Sequence, residues 1–244
     1  MRAGRTSRRA GAALAWAFAA TVAASGSPAL AQGRDTPVVV ELFTSQGCAS
    51  CPPADALMVD LAGQPGVIAL ALHVDYWDYL GWEDSFANPA FTQRQKRYAR
   101  AAGAKMIYTP QMIVSGADRV QGNRPDEVRA RIAAHLAKAP RVVLRVTRSG
   151  GVVTIEAEAD PPLDKGAVVQ LVRFRPEETV TITRGENAGR EVTYRNIVTD
   201  WSAVADWTGT APLRLETRAD GASPVVVIVQ EPGPGAVLAA VQVD

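Results

Sequence analysis

The chain has 244 residues, with 26 Lys and Arg against 25 Asp and Glu, 2 Cys, and a hydrophobic fraction of 47%. The near balance of charge argues against a nucleic-acid-binding protein, which would carry a basic excess. At most one disulfide can form within the chain, so a fold of this size must depend on the packing of an apolar core.

The first 31 residues have the three zones of a secretory signal peptide. Four arginines between Arg2 and Arg9 precede an apolar run, and Ala29-Leu30-Ala31 is typical of a cleavage site. We therefore expect an exported protein, periplasmic or secreted, whose mature chain begins at Gln32. Removal of the four arginines leaves 22 basic residues (26 − 4) against 25 acidic ones. No later apolar run approaches the roughly 20 residues that span a bilayer, so we expect no membrane span.

The two cysteines lie between a predicted strand and a predicted helix. Residues 38–43 form an apolar run typical of a strand that is buried on both faces. Cys48 and Cys51 follow, and a helical pattern over 54–62 and a second apolar strand over 67–74 complete a parallel crossover unit. A Cys-x-x-Cys pair near a helix N-terminus, where partial positive charge favours the thiolate, indicates a redox pair.

The second predicted strand leads into an aromatic segment, residues 75–82. This segment leaves the carboxyl end of the strand, where open α/β sheets bind ligands. Proline, asparagine and glycine signals bound the elements that follow. These are predicted at residues 89–102 (helix), 111–114 and 119–121 (two strands of a hairpin) and from 125 to before Pro140 (helix).

The periodicity of the sequence changes at Arg141. Apolar and polar residues alternate over 152–159, as in a half-exposed strand, and no helical pattern follows. Short strands separated by Gly, Pro and Asp turns predict a small antiparallel sandwich. The predicted strands are residues 142–147, 152–159, 167–174, 179–184, 191–198, 213–217, 225–230 and 236–242.

The order of elements over residues 38–138, with Cys-x-x-Cys before the first helix and Thr109-Pro110 before the hairpin, resembles the thioredoxin superfamily. The resemblance implies that the Thr109–Pro110 bond is cis and that Pro110 lies beside the cysteines. It also implies that the backbone of Thr109 faces an extended substrate. A trans proline that opens a strand is the alternative.

The whole chain also resembles a family of exported bacterial proteins of unassigned function whose N-terminal part is thioredoxin-like. Residues 73–78, 81–82 and 108–111 carry this resemblance. We therefore predict an α/β, thioredoxin-like domain at residues 36–139, followed by an all-β, sandwich-like domain at residues 141–244. A fragment of residues 32–139 is then expected to fold by itself.

Three roles are open for Cys48 and Cys51. They could form a redox couple that reacts through a mixed disulfide. They could form a structural disulfide, although so short a ring removes little entropy from the unfolded chain and therefore stabilises the fold by only about 2 kcal/mol. The third role is a soft-metal site that handles copper. Its further ligands would come from His73, Met58, Met106 and Met112.

Glu41 is a carboxylate in an otherwise apolar strand, seven residues before Cys48. It lies close to where thioredoxins keep a buried acid, and in that role it would relay the proton of Cys51. The alternative is a glutamate that reaches solvent or an arginine, since a buried acid needs a partner or a raised pKa. His73 is interpreted as a hydrogen-bonded core histidine.

The aromatic segment supplies a second set of candidate residues. They form either a rim that binds a substrate peptide or a lid that packs on the C-terminal domain. The candidates are Tyr76, Trp77, Tyr79 and Trp82.

The sequence thus predicts a thiol–disulfide oxidoreductase that acts on cysteine-containing protein substrates and is served by a second redox partner. Cys48 attacks or is attacked, Cys51 resolves the mixed disulfide, and Thr109 with Pro110 orients the substrate. The chemistry requires no bound cofactor. The competing prediction is a binding module with a structural disulfide. Solvent access to the Cys48 sulfur distinguishes the two.

Pro52 disfavours the α region for Cys51, so the helix is expected to begin after both cysteines.

Overall fold

The computed structural model describes residues 36–244, together with Met1 and Gly4. The rest of the predicted signal peptide and its cleavage site lie outside the described residues, so export stays a prediction. Within residues 36–244, no helix is long and apolar enough to cross a membrane.

The first half of the described chain alternates strands and helices, as the sequence pattern predicts. Strand β1 pairs in parallel with β2, which completes the predicted crossover unit, and in antiparallel with β3. The elements are β1 (Val38–Thr44), α1 (Pro52–Ala62), β2 (Val67–His73), α2 (Pro89–Ala101), β3 (Gln111–Val114), β4 (Asp118–Gln121) and α3 (Pro125–Leu136).

Local signals set the ends of these helices. Each of the three helices begins at a proline, whose missing N–H costs nothing in the first turn. Asn88 caps α2, because its side-chain oxygen accepts a hydrogen bond from the backbone N–H of Ala90 at 2.9 Å. A positive φ of 65° at Gly103 takes the chain away from the end of α2.

The second half of the described chain consists of strands. They are β5 (Val142–Ser149), β6 (Val152–Ala159), β7 (Ala167–Thr181), β8 (Glu191–Trp207), β9 (Leu213–Arg218), β10 (Val225–Gln230) and β11 (Val237–Val243).

The hairpin of β7 and β8 is longer than the sequence pattern predicts. The sequence pattern predicts two strands at residues 167–174 and 179–184, but β7 runs without a break to Thr181, and β8 continues past residue 198 to Trp207. Pro176 interrupts the ladder at one position only, since Arg175 and Glu177 on either side both pair with β8. The result is a two-stranded arm that extends beyond the sheet.

Strands from both predicted domains share one sheet. Its eight strands have the order β11-β10-β7-β8-β2-β1-β3-β4, and the junction is the parallel pairing of Ala71 in β2 with Ile197 in β8. A second, antiparallel sheet has the order β5-β6-β9. The fold is therefore a mixed α/β region with a large mixed sheet and a smaller antiparallel sheet. The change of pattern at residue 141 does not coincide with a break in the large sheet.

Three apolar clusters cover the faces of the sheets. One lies between β1 and the helices α1 and α3, and includes Leu42, Met58 and Ile132. The second lies on the opposite face of β1, where Phe43 packs with residues of α2 and with β7, β8 and β10. The third fills the space between the small sheet and β7, β10 and β11. Because β1 is buried on both faces, the chain that follows it emerges at the edge of a rigid core.

Candidate functional site

The candidate site begins where β1 ends. Cys48 and Cys51 form a disulfide with Cα atoms 5.4 Å apart, and Cys51 is the N-cap residue of α1. The helix thus begins after both cysteines, as Pro52 predicts. Cys51 itself nevertheless has α-region angles, with φ −80° and ψ −33°. Its carbonyl accepts from the N–H groups of Ala54 and Asp55, so it forms part of the first helical turn.

Both cysteines are buried, although the two residues between them are exposed. Cys48 has 1% of its surface accessible and Cys51 has none, whereas Ala49 and Ser50 are open to solvent. An attacking thiolate must reach a sulfur atom, so this disulfide is closed to a protein substrate in the observed conformation.

Residues 45–51, between β1 and α1, are here named the disulfide loop. The Thr109–Pro110 bond is cis and lies beside this loop. The Ser50 hydroxyl is 3.6 Å from the Cys48 sulfur and donates to the carbonyl of Thr109 at 3.5 Å. At Gly122, an added Cβ would lie within 3.0 Å of both Pro110 and Ala54, so the start of α1 and the proline meet across this glycine. The structure therefore brings Thr109 and Pro110 to the cysteines, as the resemblance implies.

The aromatic segment is divided between the site and the surface. Trp77 donates from Nε1 to the Thr109 hydroxyl at 2.7 Å and packs over Gly47. Trp82 donates from Nε1 to the Gln46 side chain at 2.8 Å. Trp77 and Trp82 thus frame the disulfide loop. Tyr76 and Tyr79 are placed differently.

Tyr76 donates from its hydroxyl to the Gln95 side chain in α2 at 3.2 Å. Burial raises its pKa to about 12, against the opposing effect of this hydrogen bond. Tyr79 is 79% exposed. Of the four predicted binding residues, only Tyr79 presents most of its surface to solvent.

Glu41 lies on the wrong face of the sheet to relay a proton to Cys51. Side chains alternate along a strand, and Val39 and Phe43, two residues on either side, pack toward α2. Helix α1, which carries Cys51, covers the opposite face. Both carboxylate oxygens of Glu41 instead accept hydrogen bonds from Arg94 in α2. The alternative reading, a glutamate that reaches an arginine, describes its position.

A different buried acid lies on the face of α1. Asp55 is one helical turn after Cys51 and accepts a hydrogen bond from the Thr44 hydroxyl at 2.7 Å. Burial raises the pKa of Asp55 to about 7, and this outweighs the opposing effects of His73 and the Thr44 hydroxyl. The sequence reasoning missed this residue, although a carboxylate four positions after a cysteine in an otherwise apolar helix face is a signal that could have found it.

A second buried polar pair lies next to the disulfide loop. Nδ1 of His73 donates to Asp84 at 2.8 Å, and the same carboxylate oxygen accepts from the backbone N–H of Gln46 at 2.8 Å. The His73 ring packs edge-on against Phe86 and Tyr194. His73 is thus the hydrogen-bonded core histidine of the prediction, and through Asp84 it helps to hold the loop before Cys48.

The C-terminal half contributes one residue that the sequence did not indicate. Asn187, in the loop between β7 and β8, donates from Nδ2 to the carbonyls of Gln46 and Cys48, each at 2.9 Å. The side chain is buried. No local pattern distinguishes this asparagine from other loop asparagines, because its partners are 139 and 141 residues away.

The predicted copper ligands are not gathered into a site. Met58 and Met112 pack in the apolar cluster beneath α1, while Met106 is 79% exposed. Within residues 36–244, no group of three or more His, Cys, Asp or Glu side chains is placed to hold a metal ion.

Comparisons with known proteins give a family. A search of curated proteins found no match. A crystal structure of protein AGR_C_4864 from Agrobacterium tumefaciens is 33% identical, covers 86% of this chain and 95% of its own, and has a TM-score of 0.74. HBP35 of Porphyromonas gingivalis shares the fold at 14% identity and a TM-score of 0.61, covering 86% of this chain and 76% of its own. Residues 39–230 match the family described as Protein of unknown function (DUF1223), and the chain therefore belongs to that family.

Proposed function

We propose that this protein is an exported thiol–disulfide oxidoreductase with a thioredoxin-like site. One observation carries the proposal: the Cys48–Cys51 disulfide lies between β1 and the start of α1, with the cis Thr109–Pro110 bond alongside. This arrangement joins a reactive sulfur pair to a segment of fixed backbone that can orient a substrate chain. The proposed partners are a cysteine-containing protein substrate and a second protein that restores the redox state.

The exchange uses only the two sulfurs of this chain. A substrate thiolate attacks Sγ of Cys48, forms a mixed disulfide and releases Cys51 as a thiolate. A second substrate thiolate then attacks the substrate sulfur of the mixed disulfide and releases Cys48. Two substrate thiols are oxidised to a disulfide, and the protein gains two electrons as a dithiol. The reverse sequence reduces a substrate disulfide, and the reduction potentials of the partners set the direction.

Asp55 replaces Glu41 as the proposed proton carrier for Cys51. Its backbone N–H donates to the Cys51 carbonyl at 3.1 Å, which fixes the two residues one turn apart on α1. With a pKa of about 7, Asp55 is part protonated at neutral pH. It can therefore give a proton to the Cys51 thiolate when the disulfide opens and accept one when it closes.

Thr109 is contacted from two sides, by a short hydrogen bond of 2.7 Å and by a long one of 3.5 Å. Trp77 holds its hydroxyl and Ser50 holds its carbonyl. A fixed main chain next to Cys48 lets a substrate bind with little further loss of entropy. The proposal therefore assigns Thr109 and Pro110 to substrate orientation, with Trp77 as a positioning residue.

The burial of Cys48 favours a second candidate function, a binding module with a structural disulfide. In that case Trp77, Trp82 and the β7–β8 loop hold a partner or ligand, and no electrons are transferred. The two candidates differ in one respect, which is whether Cys48 ever forms a bond to another protein.

A trapping experiment separates the candidates. Cys51→Ser removes the resolving thiol and leaves Cys48 able to form a mixed disulfide that cannot be released from within the protein. Expressed with its own N-terminus in a host that exports it, this variant should give adducts on non-reducing gels that dithiothreitol dissolves. Cys48→Ser is the matched control, since it also leaves one thiol but removes the attacking one.

The asymmetry between the variants is the expected result, with many adducts for Cys51→Ser and few or none for Cys48→Ser. A structural disulfide predicts no such difference. Equal or absent adducts from two folded variants would therefore replace the redox proposal by the binding module.

A further inference from the structure

The loop at the end of the β7–β8 arm is an ordered turn. The N–H of Ile182 donates to the carbonyl of Arg190 at 2.9 Å, and the N–H of Gly189 donates back to Ile182 at 2.8 Å. A further bond runs from Ala188 to the carbonyl of Gly185 at 3.2 Å. Residues 183–190, here named the tip, therefore have a defined internal structure that depends on their own backbone hydrogen bonds.

Asn187 alone among the eight residues of the tip is buried. Its Nδ2 donates to the carbonyls of Gln46 and Cys48, so it binds the backbone of the disulfide loop directly. Its Oδ1 is also buried and accepts no hydrogen bond from the residues that the structure describes. Burial of an acceptor that loses water without gaining a partner costs free energy, and this cost weakens the attachment of Asn187 to the disulfide loop. Asn187 is thus a latch of limited strength.

A second contact seats the tip beside the site. Gly185 has a φ of 76°, and a Cβ added there would lie 3.2 Å from Cβ of Trp82. The indole of Trp82 in turn donates to the side chain of Gln46. The tip, the aromatic segment and the loop before Cys48 therefore meet around Gln46, two residues before Cys48.

We propose that the tip is a gate over the Cys48–Cys51 disulfide, latched by Asn187, which must withdraw before a thiolate can reach Cys48. The inference deepens the proposed function and rests on it, because a gate has a use only where the disulfide exchanges. A partner that binds or displaces the tip gains access to Cys48, and the tip thereby restricts which thiols react. Opening of the gate changes neither the products of the thiol–disulfide exchange nor the two electrons that it transfers.

Reduction of the purified, oxidised protein by dithiothreitol tests the gate without any protein substrate. Dithiothreitol supplies two thiols, is oxidised to its cyclic disulfide, and leaves Cys48 and Cys51 as thiols that an alkylating reagent labels for mass measurement. Asn187→Ala removes both donated hydrogen bonds and should be reduced at least about tenfold faster than the wild type. Glu186→Ala, an exposed neighbour in the tip, is the matched control and should react at the wild-type rate.

A second variant is used because the tip of Asn187→Ala can return to its position against the disulfide loop through its other contacts. Replacing residues 184–188 with two glycines removes the latch and its surroundings, and should also accelerate reduction. Equal rates for wild type, Asn187→Ala and the shortened tip would overturn the gate. So would a wild-type disulfide that is reduced as fast as that of a free Cys-Ala-Ser-Cys peptide.

The gate and the proposed function fail in different ways. Faster reduction of Asn187→Ala, with no adducts from Cys51→Ser, supports a covered disulfide in a protein that does not exchange. Adducts from Cys51→Ser, with no acceleration in either tip variant, support exchange without a gate and overturn this inference.

Discussion

Arg94 in α2 donates through Nε and Nη2 to the two carboxylate oxygens of Glu41 in β1, at 2.6 and 2.9 Å. The hydroxyl of Tyr98 donates to the same carboxylate at 2.5 Å. Arg94 also donates to the side chains of Gln170 in β7 and Gln230 in β10. The buried ion pair therefore connects β1 to strands of the C-terminal half, and its role is structural.

Burial lowers the pKa of the Arg94 guanidinium, but the Glu41 carboxylate and the Tyr98 hydroxyl together outweigh that effect and raise it. Glu41→Gln keeps the shape of the side chain and leaves this charge without its counter-ion. We expect the free energy of unfolding to fall by about 3 to 5 kcal/mol, as when one partner of a buried pair is removed. Urea denaturation monitored by tryptophan fluorescence measures the loss.

The control for this variant is an ion pair on the surface. Asp60 pairs with Arg129 at 3.1 Å, and both side chains are largely exposed. Asp60→Asn should therefore cost no more than about 1 kcal/mol. Similar losses for the two variants would contradict the structural role of Glu41.

Asp55 should make the protein less stable as pH rises toward neutrality. Its pKa rises from 3.8 in the unfolded chain to about 7 in the fold, so the folded state holds a proton that the unfolded state releases over this range. This contribution is fully present below pH 3.8, falls between pH 3.8 and about 7, and is constant above that. The total change is about 4 kcal/mol.

The side chain of Asp55→Asn cannot ionise, so the fall in the free energy of unfolding with pH that is due to Asp55 should disappear. The variant should therefore be more stable than the wild type at pH 8. Urea denaturation from pH 4 to 8 tests this expectation. An unchanged difference between variant and wild type across that range would refute the raised pKa.

The same residue should control the pH dependence of disulfide exchange. If Asp55 moves the proton of Cys51, the rate at which Cys51 resolves a mixed disulfide should follow a titration near pH 7 in the wild type. Asp55→Asn should flatten that profile and slow the step. Rapid-quench measurements on a mixed disulfide with a small aromatic thiol give the rate.

Glu41→Gln should keep the shape of the pH profile, because Glu41 lies on the other face of the sheet. A flattened profile in Glu41→Gln, with a normal one in Asp55→Asn, would reverse the two assignments.

The fragment of residues 32–139 should not fold by itself, in contrast to the expectation from sequence. Strand β2 has β1 on one side and β8 on the other, so truncation leaves an unpaired edge beside a buried strand. The apolar cluster that contains Phe43 also includes Val172, Phe174 and Ile228 of the missing half. We expect no cooperative thermal transition for the fragment and one for the full chain. A sharp transition in the fragment, recorded by circular dichroism, would contradict this.

Most of the local structure can be predicted from patterns of neighbouring residues in the sequence. Runs of apolar residues marked β1 and β2, prolines marked the helix starts, and the spacing of Cys48 and Cys51 indicated a disulfide. These features depend on neighbours in the chain, so a local pattern is sufficient to predict them. The resemblance added the cis bond at Pro110, which the structure contains.

The set of residues that meet at the site depends instead on long-range contacts of the folded chain. Whether Glu41 or Asp55 lies behind Cys51 depends on the face of β1 that α1 covers, and a strand of buried residues has no polar face to reveal it. The side chain that binds the Cys48 carbonyl comes from Asn187, which is 139 residues away in sequence. Contacts of that separation arise from the pairing of β8 with β2, and they leave no periodic signal in either segment.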